Sequence, residues 1–462
     1  MEEERKHILN DNLRGLLFKF SYPAIIGMVV GAFYNMVDTI FVGRAVGPLA
    51  IAGLTIVLPI QILMYAIGFT IGVGSASIIS RSLGEGRKKF AVKTAGNAIL
   101  VNLIINLVLM IPAYIFIDKI LAFLGASKEV IPYSLQYCRI ILLGFVFFSF
   151  SIAAEMIIRA EGKPRAAMYP IIIGAVLNMI LDPIFIFIFK LGVRGAAIAT
   201  IISQFVSVIY ILIYFYSGKS IYKFVFENFK IKFRTSIEIL KIGFPSFLMA
   251  TIDSVIFVVF NRAIMKYGSD IYIAILGIGI RIIDLTIMPV IGITQGLSTI
   301  VSFNYGAKLY KRIKKVLGEA VIWTTVISSL AFILLMFFPR FLLKFFSSDL
   351  ELVKNGILPL RIIIVLFPAL GFQIIGGSFF QAIGKAWPAI IITVSRQVIF
   401  LIPAIIVLPL FFGLNGVWIS WPFSDFMDLI VTGIFILWEL RIINKSIRSQ
   451  ELSLAYESAE IN

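Results

Sequence analysis

The sequence consists of long apolar runs separated by short clusters of charge, glycine and proline. A helix that spans a bilayer needs roughly 20 apolar residues, and the runs do not alternate in polarity at every second residue, as barrel strands would. Helices also satisfy their own backbone hydrogen bonds within lipid. We therefore predict an all-α polytopic membrane protein with twelve transmembrane helices. The predicted spans are 16–42, 48–80, 92–117, 133–158, 166–190, 193–216, 238–265, 271–302, 316–338, 356–381, 388–411 and 415–440.

The basic residues predict the orientation of these spans. With the N-terminus placed in the cytoplasm, 27 of the 41 lysine and arginine residues fall in cytoplasmic segments and 10 fall in outward segments. Cytoplasmic loops of membrane proteins carry such an excess of positive charge. We expect a multi-pass protein of the cell membrane with both termini in the cytoplasm. The net charge of +16 is thus a topology signal, and we expect no nucleic-acid partner.

The two halves of the chain repeat each other at a constant offset, the one that separates Pro23 from Pro245. The same offset relates Gly74 to Gly296, Ser80 to Ser302, Gly162 to Gly384 and Lys163 to Lys385. Six spans per repeat keep the two halves in the same orientation, which predicts two six-helix lobes related by pseudo-two-fold symmetry about the membrane normal. The predicted parts are an N-terminal lobe at 1–216, a cytoplasmic linker at 217–237, a C-terminal lobe at 238–440 and a cytoplasmic tail at 441–462.

Composition excludes several classes of protein. Apolar residues make up 60% of the chain and charged residues 14%, whereas about a quarter of the residues of a soluble protein are charged. A soluble enzyme or nucleic-acid-binding domain is excluded. The single cysteine, Cys138, and the single histidine, His7, leave no disulfide, no histidine-based metal site and no Ser/His or Cys/His catalytic pair. No phosphate-binding loop is present, so we expect neither ATP hydrolysis nor a cofactor.

Two aspartates in the N-terminal half are the main candidates for chemistry. Asp38 lies in the first predicted span and Asp182 in the fifth, both in the outward half. Asn178 precedes Asp182 by one helical turn and therefore faces the same way, and Thr200 in the sixth span lies at comparable depth. A carboxylate in hydrocarbon requires a partner, a proton or a cation, and no lysine or arginine lies deep in these spans. The four residues either bind H⁺ or Na⁺, or form a packing cluster that stays protonated.

Other residues of the first and fourth spans are candidates for accessory roles. Asn35 lies one turn before Asp38, and we expect Tyr34, Asn35 and Tyr137, together with Asp253 of the seventh span, to line the substrate cavity or to assist the acids. Pro23 lies deep in the first span, about 15 residues before Asp38. A proline there either permits a moving kink or is simply tolerated.

The acids of the C-terminal half have basic neighbours. Arg281 and Arg396 lie near mid-membrane, as these acids do, and Arg281 is spaced to neutralise Asp284 three residues later. We expect these acids and arginines to form a structural salt-bridge network. Asp253 is the acid that we would most readily leave out of it. The acids concerned are Asp253, Asp284, Asp425 and Asp428.

Seven stretches of the sequence resemble the MATE (multidrug and toxic compound extrusion) transporters, and the similarity covers nearly the whole chain. Their order and spacing are specific, although each is weak alone, and the paired aspartates are most similar to the DinF-like branch. The stretches are FSYPAIIGM, YNMVDTIFVGRAVG, GVGSASIISRSLGEG, RAEGKPRAAM, LNMILDPIFI, LGVRGAAIAT and GLNGVWIS.

The resemblance implies a cation-coupled antiporter. By position, it implies that Asp38, Asn178 and Asp182 form the cation or proton site, with Thr200 as a neighbouring ligand. It also implies that Pro23 matches a proline proposed to bend with protonation. In the NorM-type branch an acid in the seventh span is used instead. Asp253 matches that acid, but Gln373 stands where that branch carries a second acid.

Three functions compete for such a chain. We favour secondary active efflux of small amphipathic, cationic molecules in exchange for H⁺ or Na⁺ by alternating access, carried out by a monomer in the lipid bilayer. The alternative is a lipid-linked oligosaccharide flippase of the same superfamily, which should line its cavity with arginine or lysine. A membrane enzyme is disfavoured because the paired acids lie in the outer half of the spans, away from the cytoplasmic headgroups.

Overall fold

The computed structural model describes residues 2–46, 48–222, 230–346 and 349–461. Within these ranges the chain is helical and contains no strand. Part of the predicted linker, residues 223–229, and the side chain of Asn35 lie outside the described part. The helices are α1 Glu2–Asn10, α2 Leu13–Val46, α3 Pro48–Gly84, α4 Lys88–Ile115, α5 Ile117–Phe123, α6 Ile131–Leu143, α7 Phe145–Ala160, α8 Pro164–Pro183, α9 Val193–Tyr216, α10 Phe233–Tyr267, α11 Asp270–Gly306, α12 Tyr310–Phe337, α13 Pro339–Phe346, α14 Leu350–Ile363, α15 Phe367–Ala382, α16 Ala386–Val394, α17 Ile402–Phe412 and α18 Leu414–Ile461.

Long apolar helices account for the predicted spans. Within the described residues, nine helices are long and apolar enough to cross a membrane by themselves. The fourth and tenth predicted spans each consist of two helices joined at a bend, α6 with α7 at 52° and α14 with α15 at 53°. The twelfth predicted span, 415–440, lies within α18.

The outer faces of these helices expose large apolar side chains. Phe411 of α17 is 75% exposed and Leu330 of α12 is 61% exposed, and many leucine, isoleucine and valine side chains of the long helices are also exposed. A soluble protein does not show such extensive apolar surface. These faces therefore suit contact with lipid chains.

The internal repeat is visible in equivalent contacts. The hydroxyl of Ser80 donates to the carbonyl of Ala160 at 3.0 Å, and that of Ser302 donates to the carbonyl of Ala382 at 2.8 Å. Both members of the second pair follow those of the first at the offset of the repeat. The two bends also fall at positions related by this offset, between Leu143 and Phe145 and after Ile363.

Two compact units make up the chain, and their boundaries fall inside helices. The N-unit comprises Pro23–Thr251, and the C-unit comprises Glu2–Tyr22 and the chain from Ile252 onward. The first turns of α2 thus belong to the C-unit, and the first half of α10 belongs to the N-unit. The boundaries do not fall in the 217–237 segment that the sequence predicts as the linker between lobes.

Glycines allow close packing of the two segments that were assigned across the boundaries, namely the first turns of α2 in the C-unit and the first half of α10 in the N-unit. In the N-unit, a Cβ atom on Gly74 of α3 would overlap the carbonyl of Ile239, and one on Gly243 of α10 would overlap the carbonyl of Thr70. In the C-unit, a Cβ atom on Gly296 would meet Ser21 of α2. Backbones in contact at these positions leave no room for a side chain.

Polar side chains near the start of α2 and the start of α10 also hold these two segments in place. In the N-unit, Ser236 donates to Asn97 at 2.9 Å. In the C-unit, Arg14 pairs with Glu319 at 3.1 Å. Arg14 and Ser236 are equivalent in the repeat, as are Asn97 and Glu319, so one contact has been retained with different chemistry in the two halves.

Replacing Gly74 with alanine should destabilise the N-unit by about 1–3 kcal/mol, because the added carbon would force α3 and α10 apart. The matched control is Gly277→Ala in α11, where nothing lies within 4 Å of an added Cβ atom. That control should be neutral or stabilising because alanine favours a helix over glycine. Thermal unfolding followed by circular dichroism measures both, and equal effects would contradict the close approach described above.

A buried carboxylate anchors the chain that follows α9. Glu161 is 2% exposed and accepts hydrogen bonds from the Tyr214 hydroxyl at 2.5 Å, the Ser220 hydroxyl at 2.9 Å and the Ile221 amide at 3.0 Å. Burial raises the pKa of Glu161 to about 7, although these hydrogen bonds and Lys163 oppose the rise. The segment after α9 is thereby held against the loop that follows α7.

Because of Glu161, the protein should become less stable as the pH rises. The pKa of Glu161 is higher in the folded chain than its ordinary value of 4.5. The stabilisation that the protonated side chain provides is therefore complete below pH 4.5 and is lost as the pH rises through about 7. Glu161→Gln should remove up to about 3 kcal/mol of this pH dependence. Thermal unfolding between pH 5 and 8 measures it, with the exposed Glu129→Gln as control. An unchanged slope in Glu161→Gln would contradict the assignment.

Candidate coupling site of the N-unit

Asp38 of α2 and Asp182 of α8 lie together inside the N-unit. Asp38 is 8% exposed and Asp182 is fully buried. Their carboxyl groups are hydrogen-bonded to each other. Such a bond requires a proton on one of the two groups because an ionised carboxylate only accepts. Within the described residues neither acid forms an ion pair, so their charge is balanced by protons or by a bound cation.

Asn178 connects Asp182 to α9. It lies one turn before Asp182 in α8 and is 1% exposed. With its amide oriented to satisfy both neighbours, the nitrogen donates to Asp182 at 3.1 Å and the oxygen accepts from the backbone amide of Thr200 at 3.3 Å. The hydroxyl of Thr200 donates to the carbonyl of Ala196 at 3.0 Å. The structure thus brings together all four residues that the sequence singled out.

The local backbone changes immediately after Asp182. Pro183 ends α8, and a π-helical segment, Ile184–Ile188, follows it. Proline has no amide hydrogen to donate to the preceding turn, and π-helical turns often occur at functional sites. The π-helical segment is seen only in the structure.

Aromatic and amide side chains surround the acid pair. Tyr137 of α6 is 3% exposed, and its hydroxyl interacts electrostatically with Asp38, Asp182 and Tyr34. Gln61 of α3 donates to the same hydroxyl at 3.3 Å. Tyr34 and Tyr137 were predicted from the sequence, but Gln61 was missed. A polar residue isolated in the apolar stretch LPIQILM was the signal that could have found it.

The C-terminal candidate belongs to a separate group of residues. Asp253 lies in the C-unit, where its carboxylate accepts from Gln397 at 2.5 Å. Arg396 pairs there with Asp425 at 2.9 Å. Asp253 is therefore not among the side chains gathered around Asp38 and Asp182. Pro23 lies inside α2 at the boundary of the two units.

The acid pair has the chemistry to bind either a proton or a hard cation. Carboxylate, amide and hydroxyl oxygens are ligands for hard cations, and one oxygen of Asp38 has no hydrogen-bond partner. However, no three histidine, cysteine or acidic side chains within the described chain converge as metal ligands. The hydrogen bond between the two carboxyl groups is itself a proton-binding arrangement.

Similarity to a known family extends over both halves of the chain. The family model described as MatE matches two segments, residues 23–184 and 245–406, which together cover more than half of the chain. The starts of the two segments are separated by the offset of the internal repeat. The chain belongs to the MATE family. Members of this family are transporters, so this protein is a multi-pass membrane transporter and not an enzyme.

Curated relatives and solved structures match over most of their length. The multidrug export protein MepA of Staphylococcus haemolyticus is 28% identical over 403 residues, which cover 87% of this chain and 88% of that protein. A MATE transporter crystallised in complex with MaL6 is 25% identical, with a TM-score of 0.90 over 96% of this chain and 99% of the other.

A third similar protein is a MOP superfamily transporter from Pyrococcus furiosus, which is described as having a binding pocket of reversed polarity that suggests a different function. It is 26% identical, with a TM-score of 0.89 over 95% of this chain and 98% of the other. The solved MATE structures have twelve helices in two lobes, which confirms the predicted fold class.

Proposed function

We propose that this MATE transporter is a multidrug efflux antiporter that exports small amphipathic organic cations in exchange for H⁺ or Na⁺ by alternating access. One observation carries the proposal: Asp38 and Asp182 are buried in contact with each other and have no basic partner within the described residues. A transporter needs a site whose charge changes with the coupling ion, and such a pair provides one.

The chemistry of the pair favours H⁺ as the coupling ion. Two adjacent carboxyl groups in an apolar interior bind a first proton between them because two negative charges at this distance repel strongly. The second proton or a competing cation then decides whether the pair is neutral or carries one negative charge. Asn178 and Thr200 hold Asp182 in place during this change through the contacts described above.

Coupling to movement would act through α2. Asp38 and Pro23 lie on this helix, and its first turns belong to the C-unit whereas the rest belongs to the N-unit. Proline removes one backbone hydrogen bond, so bending costs least there. Neutralisation of Asp38 would change how α2 packs against α8 and would release cargo to the outside.

Two considerations support cationic cargo. The relative from Staphylococcus haemolyticus is a multidrug export protein, and the polar side chains gathered around the N-unit site are acidic or neutral. An oligosaccharide flippase, the alternative, would need basic side chains for a pyrophosphate headgroup. We further propose that the transporter acts as a monomer in the cell membrane, with both termini in the cytoplasm as the basic loops indicate.

The substitutions Asp38→Asn and Asp182→Asn should each reduce gradient-driven efflux to the level of empty liposomes while the protein stays folded. Asparagine keeps the shape of the side chain but cannot bind a proton or balance a cation. Efflux of a cationic dye from proteoliposomes measures this, with a pH gradient and a Na⁺ gradient imposed separately. The matched control is Asp118→Asn, since Asp118 is exposed on α5.

The pH gradient alone should drive the wild-type protein and the Asp118→Asn control. Efflux driven only by Na⁺ would identify the other coupling ion. Wild-type rates in both site variants would show that the coupling site lies elsewhere. If folded wild-type protein responds to neither gradient, antiport is wrong and the flippase becomes the better interpretation.

A further inference from the structure

The short helix α13 connects α12 to α14 in the C-unit and has one buried and one exposed side. Its buried side is formed by Pro339 and Leu343, which are one helical turn apart. The side chain of Leu343 packs on α14, since a Cβ atom added to Gly356 would lie 3.1 Å from it. The exposed residues of α13 are all aromatic or basic. The helix is thus fixed to its unit by one side and presents the other to its surroundings.

The exposed side of α13 consists of two phenylalanines beside two basic residues. Phe341 is 70% exposed and Phe345 is 76% exposed, and a spacing of four residues places both rings on one face. Arg340 and Lys344 have the same spacing, each one position earlier. At a membrane surface, such rings enter the acyl region while the basic groups reach the headgroups. This side of α13 therefore suits the boundary between headgroups and acyl chains.

A third basic side chain lies where α12 leads into α13. The Nε atom of Arg361, on α14, donates to the backbone carbonyl of Met336 at 3.0 Å, and Met336 belongs to the last turn of α12. Arg361 is exposed, and its other guanidinium nitrogens have no hydrogen-bond partner among the residues that the structure describes. The carbonyl thus fixes the position of this guanidinium and leaves donors available to a ligand.

The internal repeat provides a direct comparison for α13. Its equivalent in the N-unit is α5, and the repeat offset relates Leu121 to Leu343 and Phe123 to Phe345. Both leucines are fully buried, whereas Phe123 is 90% exposed and Phe345 is 76% exposed. The two helices therefore pack with the same side against their own units. Residues at the same offset can be compared position by position.

In the N-unit, an ion pair occupies the positions that correspond to two arginines of the C-unit. Asp118 of α5 pairs with Arg139 of α6 at 3.7 Å. At the repeat offset, Asp118 corresponds to Arg340 and Arg139 corresponds to Arg361. Neither Arg340 nor Arg361 has an acidic partner in the described part of the chain. Two like charges at such positions repel each other, so an anion bound between them is favourable.

We propose that the exposed side of α13 and Arg361 together bind one anionic phospholipid. This surface, here called the α13 patch, comprises Arg340, Phe341, Lys344, Phe345 and Arg361. The guanidinium groups of Arg340 and Arg361 donate to the phosphate, for which their planar geometry is well suited, and Lys344 adds a third positive charge. Phe341 and Phe345 contact the acyl chains. A free phosphate would leave both rings in water, and so the patch favours a lipid.

This inference goes beyond the proposed function, and its test requires neither cargo nor an ion gradient. Native mass spectrometry of the full-length protein in a neutral detergent measures lipid binding. Phosphatidylglycerol and phosphatidylcholine with the same acyl chains are titrated separately, and inorganic phosphate is then added as a competitor.

Three variants are compared with the wild type. Arg340→Asp places an acid next to Arg361, as in the N-unit, and Phe345→Ser removes a ring without changing the charge. The matched control is Arg262→Asp, which makes the same change of charge at an exposed residue of α10.

The wild type should bind one phosphatidylglycerol about tenfold more tightly than phosphatidylcholine. Arg340→Asp should lose this preference because its new carboxylate neutralises Arg361, and Phe345→Ser should bind phosphatidylglycerol more weakly. Arg262→Asp should behave as the wild type. If Arg340→Asp does not fold, Arg340→Gln replaces it with the same expectation.

The proposal is overturned if folded Arg340→Asp keeps the preference, or if Arg262→Asp loses it equally, because net charge alone would then explain binding. Displacement of the lipid by an equal concentration of inorganic phosphate would identify a site for free phosphate instead. Unchanged affinity in Phe345→Ser would likewise reject the lipid assignment.

Discussion

The cost of placing a carboxylate in an apolar interior governs the arrangement of this transporter. The helices satisfy their own backbone groups, so the buried polar side chains are the features that need a separate explanation. The two units meet this cost differently. In the N-unit, Asp38 and Asp182 lie against each other with no ion pair to a basic residue in the described part of the chain. In the C-unit, Arg396 forms an ion pair with Asp425.

Duplication explains both the likeness of the two halves and their differences. Equivalent serines donate to equivalent alanine carbonyls in the two halves, and the family model matches both halves at the same offset. The backbone framework has thus been kept while the polar side chains have diverged. The two units therefore share a backbone arrangement but contain different acidic side chains. The fold by itself does not assign a function to either unit.

Two helices, α2 and α10, each belong partly to one unit and partly to the other. The chain passes between the units inside α2 and α10, within continuous helices. Gly74 and Gly243 bring the exchanged part of α10 into backbone contact with α3. Asp38 therefore lies on a helix that belongs in part to each unit. Pro23 lies at that boundary, where loss of one hydrogen bond makes bending easiest.

The sequence by itself determined the helical membrane fold, the repeat and the acid pair. Run length, glycine and proline spacing and the rarity of acids in apolar spans are local signals. Tertiary structure alone decided that the units divide inside α2 and α10, that Gln61 joins Tyr137, and that Arg396 pairs with Asp425. Those outcomes depend on which helices come into contact and on where a helix widens into a π-helical turn. Such contacts lie far apart along the chain and leave no periodic signal in it.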